Sequence, residues 1–148
     1  MEVNIYTDGA CVGNPGPGGW AAIIISKNKK KQLFGGEKLT TNNRMELTAA
    51  IKALEYCSQQ DEKQLTLRQF KVYTDSIYLK EGITVWINSW EKNNWKTADK
   101  KNVKNVDLWK KLKKLAKTNS IEWLWIKGHS GNPMNDLVDK LAKESTPI

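Results

Sequence analysis

The spacing of the apolar residues changes at Asn43, and this change limits the possible folds more than any other feature of the chain. Residues 3–8 alternate between apolar and polar positions and are rich in β-branched side chains, which predicts a strand that stops at Gly9. After Asn43 the apolar residues recur at steps of three and four, which predicts one buried face of a long helix. They are Leu47, Ala50, Ile51, Leu54 and Cys57. A helix between strands permits a parallel crossover, so the pattern indicates an α/β fold.

Turn residues divide the rest of the chain into short elements. Strands over 20–25 and 32–39 would complete an antiparallel meander, in which Gly35 and Gly36 predict a bulge or a close approach. A strand over 70–75 can lie parallel to the first. The remaining predictions are helices over 76–90 and 106–117, a strand over 121–126, and a last helix with Asn132 as N-cap, Pro133 as first residue and Lys143 near its end. The predicted sheet is therefore mixed.

Length and composition predict one domain over residues 1–148. Apolar residues make up 39% and charged residues 27%, which is typical of a globular chain with a buried core. No apolar run approaches the roughly 20 residues of a membrane span, and the start lacks a signal-peptide pattern. Cys11, in a Gly/Pro-rich loop, and Cys57 are expected to be reduced thiols. We therefore expect a cytoplasmic protein with no membrane contact, and a monomer without an obligate protein partner.

The positive charge is concentrated in residues 91–117, here called the lysine-rich segment. It holds ten lysines and only three acidic residues, which gives it a net charge of +7 within a total of +8. Such a stretch predicts a polyphosphate partner such as a nucleic acid, because bound phosphates release counterions. A merely solvated helix face remains the alternative.

Two aspartates follow the same tripeptide pattern. The first predicted strand reads Tyr6-Thr7-Asp8 and the fourth reads Tyr73-Thr74-Asp75. If these strands are parallel neighbours, both carboxylates meet outside the ends of the strands, where open α/β sheets bind ligands. Their repulsion would then require a cation. Alternatively, each aspartate starts a turn, or Asp75 caps the next helix.

For two further carboxylates, the sequence supports a purely structural role as well as it supports a place beside the two aspartates. Glu46 lies one turn into the long helix and can point toward the same end of the sheet. With Asn43 as N-cap, however, Glu46 would occupy the capping-box position and only satisfy backbone donors. Asp139 in the last helix could join the other acidic groups, or it could pair with Lys143 four residues later.

His129 is the only histidine, and glycines flank it in a segment between a strand and a helix. A side chain that titrates near neutrality on such a rim can move a proton for a leaving group, although a lone histidine is more often structural. A zinc site is not indicated because no second histidine or cysteine pair stands at ligand spacing. Carboxylate oxygens favour Mg²⁺ or Mn²⁺.

Six strings stand in order along nearly the whole chain. They are Thr7-Asp8-Gly9, Gly13-Asn14-Pro15-Gly16, Asn42-Asn43-Arg44-Met45-Glu46-Leu47, Thr74-Asp75-Ser76, Trp95-Lys96-Thr97-Ala98-Asp99-Lys100-Lys101 and Gly128-His129-Ser130-Gly131. As an ordered set they resemble the bacterial ribonuclease HI family. The resemblance implies an α/β fold of the ribonuclease H type, with a five-stranded mixed sheet and helices on both faces. It also implies the catalytic and metal-binding carboxylates Asp8, Glu46, Asp75 and Asp139, with His129 assisting proton movement or product release.

The same resemblance implies the chemistry. Two Mg²⁺ ions, with Mn²⁺ as a substitute, would serve the hydrolysis of the RNA strand of an RNA/DNA hybrid. The products would carry 5′-phosphate and 3′-hydroxyl ends. A non-catalytic hybrid-binding module and a DNA-directed nuclease are the alternatives. Retention of all four carboxylates disfavours the first, and the lysine-rich segment disfavours the second.

Contacts to the nucleic acid are likewise implied by the resemblance. Thr41 and Asn14 would hold a DNA phosphate, Trp86 would contact the DNA strand, and Trp90 would belong to the core. Ile77 replaces a glutamine that is common in the family, and Glu91, Asn93 and Asn94 replace more basic residues, so hybrid affinity is expected to be lower. The full predicted set is Cys11, Gly13, Asn14, Thr41, Asn42, Asn43, Trp86, Lys104 and Asn105.

Overall fold

The structure is a computed structural model and describes residues 2–60, 69–128 and 131–147. These residues form five strands and five α-helices, and a π-helical turn joins the second helix to the third. In chain order they are β1 Glu2–Cys11, β2 Gly16–Ser26, β3 Lys29–Thr40, α1 Asn42–Gln60, β4 Gln69–Thr74, α2 Ile77–Glu81, the π-helical turn Gly82–Trp86, α3 Ile87–Lys92, α4 Val106–Lys117, β5 Ser120–Trp125 and α5 Pro133–Glu144.

The five strands form one mixed sheet in the order β3-β2-β1-β4-β5. Strands β1, β2 and β3 pair antiparallel, as the meander predicts. Strand β4 lies parallel to β1, with Tyr6 opposite Tyr73, and β5 lies parallel to β4. The prediction of a five-stranded mixed sheet is therefore confirmed, and the Tyr-Thr-Asp strings of β1 and β4 lie side by side.

Both faces of the sheet are covered by helices, because successive side chains of a strand point to opposite faces. On β2, Ala22 and Ile24 belong to the core beneath α1, whereas Ala21 and Ile23 pack against α5. Leu47 and Leu54 of α1 are fully buried in the larger core. Each such side chain contributes roughly 1.5–3 kcal/mol of transfer free energy. Helix α1 is thus fixed over the middle of the sheet, where it carries Glu46.

Several predicted boundaries are wrong. Strand β1 continues past Gly9 to Cys11, because residues 9–11 pair with β2, and Cys11 therefore ends a strand rather than lying in a loop. The irregularity in the β2–β3 pairing falls between Gly16 and Gly18, not at Gly35 and Gly36. Those two glycines mark close approaches, so the second predicted alternative is the one confirmed: a Cβ on Gly35 would lie 2.8 Å from the Trp20 ring.

The prediction of helical structure over 76–90 is confirmed, but the segment is divided into α2, the π-helical turn and α3, and it extends to Lys92. Gly82 opens the π-helical turn against the ring of Trp109, and a Cβ at Gly82 would stand 2.1 Å from that ring. Trp109 is fully buried, and Trp90 packs partly buried against the same core, as predicted. Over the described ranges, none of the helices combines the length and the apolar character that crossing a membrane requires.

Candidate active site

Three carboxylates from three different elements meet at one end of the sheet. Asp8 lies in β1, Asp75 follows the last residue of β4, and Glu46 lies in α1. One oxygen from each of these side chains lies within 4.8 Å of the others. Asp139 of α5 lines the same cleft, and its side chain interacts with Asp8. We call these four residues the carboxylate cluster.

Gly9 allows α1 to approach β1 closely enough for Glu46 to join the cluster. A Cβ on Gly9 would lie 2.5 Å from the backbone nitrogen of Glu46, so only glycine permits this approach. The Gly9 N–H donates to Glu46 Oε1 at 2.5 Å and to Asp8 Oδ1 at 2.9 Å. One backbone donor therefore holds two carboxylates, one from the strand and one from the helix.

The capping-box alternative for Glu46 is wrong because the N-cap of α1 is Thr41, two residues before the predicted Asn43. The first residue of the helix is Asn42, and the Thr41 hydroxyl accepts the hydrogen bond from the Arg44 N–H at 3.2 Å. Glu46 therefore lies beyond the position that could return a bond to the cap. Its carboxylate, only 2% exposed, faces β1 and β4 instead.

Two members of the cluster, Asp8 and Glu46, are strongly desolvated, whereas Asp75 and Asp139 are partly exposed. Asp8 is 3% exposed, and burial together with the neighbouring charges of Glu46 and Asp75 raises its pKa far above the ordinary aspartate value. Burial also raises the pKa of Glu46, opposed by its hydrogen bonds. Among the described residues, no hydrogen-bond partner reaches the buried Asp8 Oδ2. A buried acceptor without a donor, beside other carboxylates, fits a divalent cation as its missing partner.

Asp75 is not the cap of the following helix, because the Ser76 hydroxyl accepts from the Leu79 N–H at 3.0 Å and caps α2. The backbone at Asp75 is held from β5: the Trp125 indole N–H donates to the Asp75 carbonyl oxygen at 3.1 Å. Sequence reasoning missed Trp125 and Gly9 in these roles. The Gly9 signal was present in the Asp-Gly pair, whereas nothing in the spacing pointed to Trp125.

Asp139 satisfies both of its predicted alternatives. Its Oδ2 lies 3.0 Å from Lys143 Nζ, and the same side chain lies near enough to Asp8 to raise the pKa of that carboxyl. The Asn132 side chain accepts from the N–H groups of Met134 and Asn135, so the predicted N-cap of α5 is confirmed. The capped helix carries Asp139 to the cleft at the end of β1.

The cleft at the cluster has a volume of about 560 Å³. Its lining also includes Cys11, Asn42 and Asn43, three of the predicted nucleic-acid contacts, and the 59% exposed Ile77. Cys11 and Cys57 are both free thiols. The carboxylate cluster and these polar side chains thus line one open cleft, which is large enough for part of a polymeric substrate.

Comparison with known proteins gives the family. The RNase H family model matches residues 1–146. This chain belongs to the RNase H family. A curated ribonuclease H from Maricaulis maris is 54% identical over 142 residues, covering 96% of this chain and 91% of that protein. One from Treponema denticola is 50% identical over 155 residues, covering 98% of this chain and 97% of that protein.

Solved RNase H structures share the fold. The crystal structure of LC9-RNase H1, a type 1 RNase H with the type 2 active-site motif, superposes with a TM-score of 0.84 at 28% identity. It covers 98% of this chain, and this chain covers 72% of it. The structure of LC11-RNase H1 in complex with an RNA/DNA hybrid superposes with a TM-score of 0.73 at 22% identity, with 97% and 96% coverage. This chain is thus a hydrolase of the RNase H family with the matching sheet and helices.

Two of the predicted nucleic-acid contacts outside the cleft, Asn14 and Asn105, have partners within the protein. The Asn14 side chain accepts from the Asn42 N–H at 2.8 Å, which ties the loop after β1 to the start of α1. Asn105 donates to the Tyr78 hydroxyl at 3.0 Å and accepts from Arg44 at 3.2 Å. Gly13 has a φ of +81°, which suits glycine, and Lys104 is exposed.

The lysine-rich segment is exposed and adjoins α1. Nine of its ten lysines are exposed, and the partly buried Lys113 pairs with Glu91, so this acidic departure from the family pattern is neutralised within the segment. Arg44 of α1 forms a two-pronged ion pair with Asp107 of α4, at 3.1 and 2.8 Å. Trp86 is 38% exposed and contacts the rings of Tyr78 and Trp90. The prediction for His129 lies outside the described residues.

Proposed function

We propose that this chain is an endonuclease that hydrolyses the RNA strand of RNA/DNA hybrids and leaves 5′-phosphate and 3′-hydroxyl ends. The observation that carries the proposal is the cluster of Asp8, Glu46 and Asp75, with ligand oxygens within 4.8 Å, in an open cleft of an RNase H family chain. The hybrid bound to LC11-RNase H1, a protein of the same fold, supports this substrate class.

The cluster would hold divalent cations through Asp8, Glu46, Asp75 and Asp139. The buried Asp8 Oδ2 without a hydrogen-bond partner among the described residues and the raised pKa of Asp8 support this assignment. Mg²⁺ is proposed as the ion, with Mn²⁺ as a substitute, because all donors are hard oxygens. Two such ions would neutralise charge at the scissile phosphate and lower the barrier to an in-line displacement.

The chain's own groups would position these ligands and move protons. The Gly9 N–H fixes Glu46 Oε1 and Asp8 Oδ1, and Lys143 holds Asp139 from the outside. His129 is proposed to transfer a proton to the leaving oxygen or to assist product release, because a histidine side chain can in general exchange protons near neutral pH. Gly128, which precedes it, is in contact range of Asp75: a Cβ there would lie 3.1 Å from Asp75 Oδ2.

The hybrid would lie across the cleft and the lysine-rich segment. Cys11, Gly13, Asn14, Asn42 and Asn43 are proposed to contact the RNA near its 2′-hydroxyls. Exposed lysines such as Lys104 would contact phosphates of the DNA strand and supply a salt-sensitive part of the affinity. The other proposed DNA contacts are Thr41 and Asn14, which would hold a phosphate, and Trp86 and Asn105. We further propose that residues 1–148 form one domain that acts in the cytoplasm as a monomer without an obligate protein partner.

Cleavage of end-labelled substrates tests the proposal. An RNA/DNA hybrid, an RNA duplex and a DNA duplex of one sequence are incubated with Mg²⁺, with and without excess chelator. We expect internal cuts in the RNA of the hybrid alone, abolished by the chelator, with products that a 5′-phosphate-dependent exonuclease degrades. An uncut hybrid at every Mg²⁺ and Mn²⁺ concentration would contradict the proposal, and faster cutting of the DNA duplex would favour a DNA-directed nuclease.

A further inference from the structure

Two threonines in equivalent positions differ in what their hydroxyl groups do. Thr7 precedes Asp8 on β1 and Thr74 precedes Asp75 on β4, and both side chains are fully buried. Among the described residues, no hydrogen-bond partner reaches the Thr7 hydroxyl. The Thr74 hydroxyl has two partners, and both belong to the neighbourhood of the carboxylate cluster.

The two partners of Thr74 lie on different elements. Its oxygen accepts from the Ser76 N–H at 3.0 Å, across the turn that carries Asp75. Its O–H donates to Glu46 Oε2 at 3.4 Å, a long hydrogen bond to the carboxylate of α1. The main chain at Thr74 is itself fixed, because the Ile126 N–H donates to its carbonyl oxygen at 2.8 Å. One anchored hydroxyl therefore links the Glu46 side chain to the backbone on either side of Asp75.

This link constrains both oxygens of Glu46. Oε1 accepts from the Gly9 N–H and Oε2 accepts from Thr74, so the plane of the carboxylate is set by β1 on one side and β4 on the other. Glu46 and Asp75 repel each other when both are ionised, and such a pair separates unless other bonds hold it. Hydrogen bonds that orient ligands are worth about 10- to 100-fold in metal affinity or activity.

We propose that Thr74 is a positioning residue whose hydroxyl sets the orientation of Glu46 relative to Asp75 for the binding of a divalent cation. The inference rests on the proposed function of the carboxylate cluster. Thr74 itself touches neither substrate nor cation, and it acts through Glu46 and through the turn at Asp75. Thr7 has no corresponding role. Like Thr74, it is fully buried and directly precedes an aspartate, and the two residues lie on neighbouring strands.

The test compares Thr74→Val, which keeps the shape and removes the hydroxyl, with Thr74→Ser, which keeps the hydroxyl, and with the matched control Thr7→Val. Mg²⁺ binding is measured by calorimetry without nucleic acid, and kcat and KM are measured on a hybrid. We expect Thr74→Val to weaken Mg²⁺ binding roughly tenfold and to lower kcat at fixed Mg²⁺, with the KM for the hybrid unchanged. Thr74→Ser and Thr7→Val should both remain near the unsubstituted chain.

Equal Mg²⁺ binding by Thr74→Val and Thr7→Val would overturn the inference, and so would a Thr74→Ser variant as weak as Thr74→Val, because packing of the methyl group would then be the cause. Should Thr74→Val not fold, Thr74→Ser and Thr74→Ala are compared with the same expectation, since they differ only in the hydroxyl. A chain that shows the expected Mg²⁺ differences but cuts no hybrid contradicts the proposed function alone. Failure of the unsubstituted chain to bind Mg²⁺ contradicts both.

Discussion

The carboxylate cluster and the lysine-rich segment carry opposite charges and are built in opposite ways. Asp8 and Glu46 are almost fully buried, and a shared backbone donor fixes their positions. The lysines are nearly all exposed and extend along α4 and the preceding loop. Charges in a low dielectric act strongly over short distances, whereas exposed charges are screened by salt. The cluster is therefore suited to chemistry at one phosphate, and the segment to holding a polyanion.

The largest difference should appear when Asp8 is replaced by Asn. The substitution keeps the size of the side chain and removes a charge that bound cations require, so we expect cleavage of the hybrid to fall by about a thousandfold or more. Binding of the hybrid, measured by fluorescence anisotropy, should be retained within about threefold because the lysines are unchanged. If the variant cuts at a similar rate, or loses binding and cutting equally, then the cluster does not serve catalysis separately from binding by the lysine-rich segment.

The same substitution should stabilise the protein without metal. Because burial and the neighbouring carboxylates raise the folded-state pKa of Asp8 to about 11, the unfolded chain ionises first as pH rises. Unfolding then releases a proton, and stability falls from about pH 4 upward throughout the range below that pKa. Asp8→Asn removes this contribution and should raise the free energy of unfolding by on the order of 2 kcal/mol at pH 7.5 in chelator. Urea denaturation at pH 5 and pH 7.5 checks it. Parallel pH dependence in both proteins would mean that the pKa of Asp8 is not raised in the folded protein.

Substitutions in the lysine-rich segment should weaken binding of the hybrid and leave the cleavage step unchanged. Replacing Lys104 and Lys111 together by Ala should weaken hybrid binding by about fivefold to tenfold at low salt and reduce the salt slope of the affinity by about 1 to 2, with kcat unchanged. Lys30→Ala is the control, because this exposed lysine lies at the end of the sheet opposite the carboxylate cluster. Lys30 pairs with Ile25 of β2, which in turn pairs with Asn4 near the start of β1. A fall in kcat, or an equal effect of Lys30→Ala, would show that the segment is not a separate binding surface.

The smallest effect is expected at Ile77, which borders the cleft between the two regions. Ile77→Gln introduces the side chain that is common in the family, and a single new hydrogen bond to the hybrid is worth about 0.5–1.5 kcal/mol. Hybrid affinity should rise by roughly twofold to tenfold, and unfolding should change little because Ile77 is 59% exposed. Weaker binding of Ile77→Gln than of the unsubstituted chain would mean that the apolar side chain itself contacts the substrate.

Sequence reasoning reached the cluster because its signal is regular. The repeated Tyr-Thr-Asp string and the intervening helix are enough to bring Asp8 and Asp75 together on parallel strands, and the tyrosines stack with ring centres 4.6 Å apart. What the sequence missed depends on contacts between distant residues. The closeness of α1 to Gly9, the indole bond from Trp125 and the true cap at Thr41 follow from packing, which local patterns do not encode.

The strand and helix boundaries failed for a similar reason. Residues 9–11 of β1 and the glycines 18–19 of β2 have the composition of turns, yet Ala10 pairs with Gly19 and Cys11 pairs with Gly18 in the sheet. Gly82 gave no local sign of the π-helical turn, because its role is to make room for Trp109 from α4. Local preference set the type of each element, and tertiary pairing set where it ends.

Calorimetric titration of Mg²⁺ into the protein without nucleic acid, compared with the same titration of Asp8→Asn, tests the central claim most directly. The carboxylate cluster predicts saturable binding by the unsubstituted chain, with a matching rise in thermal stability, and at least roughly tenfold weaker binding by Asp8→Asn. Indistinguishable titrations of the two proteins would show that Asp8, and with it the end of the sheet, is not the cation site.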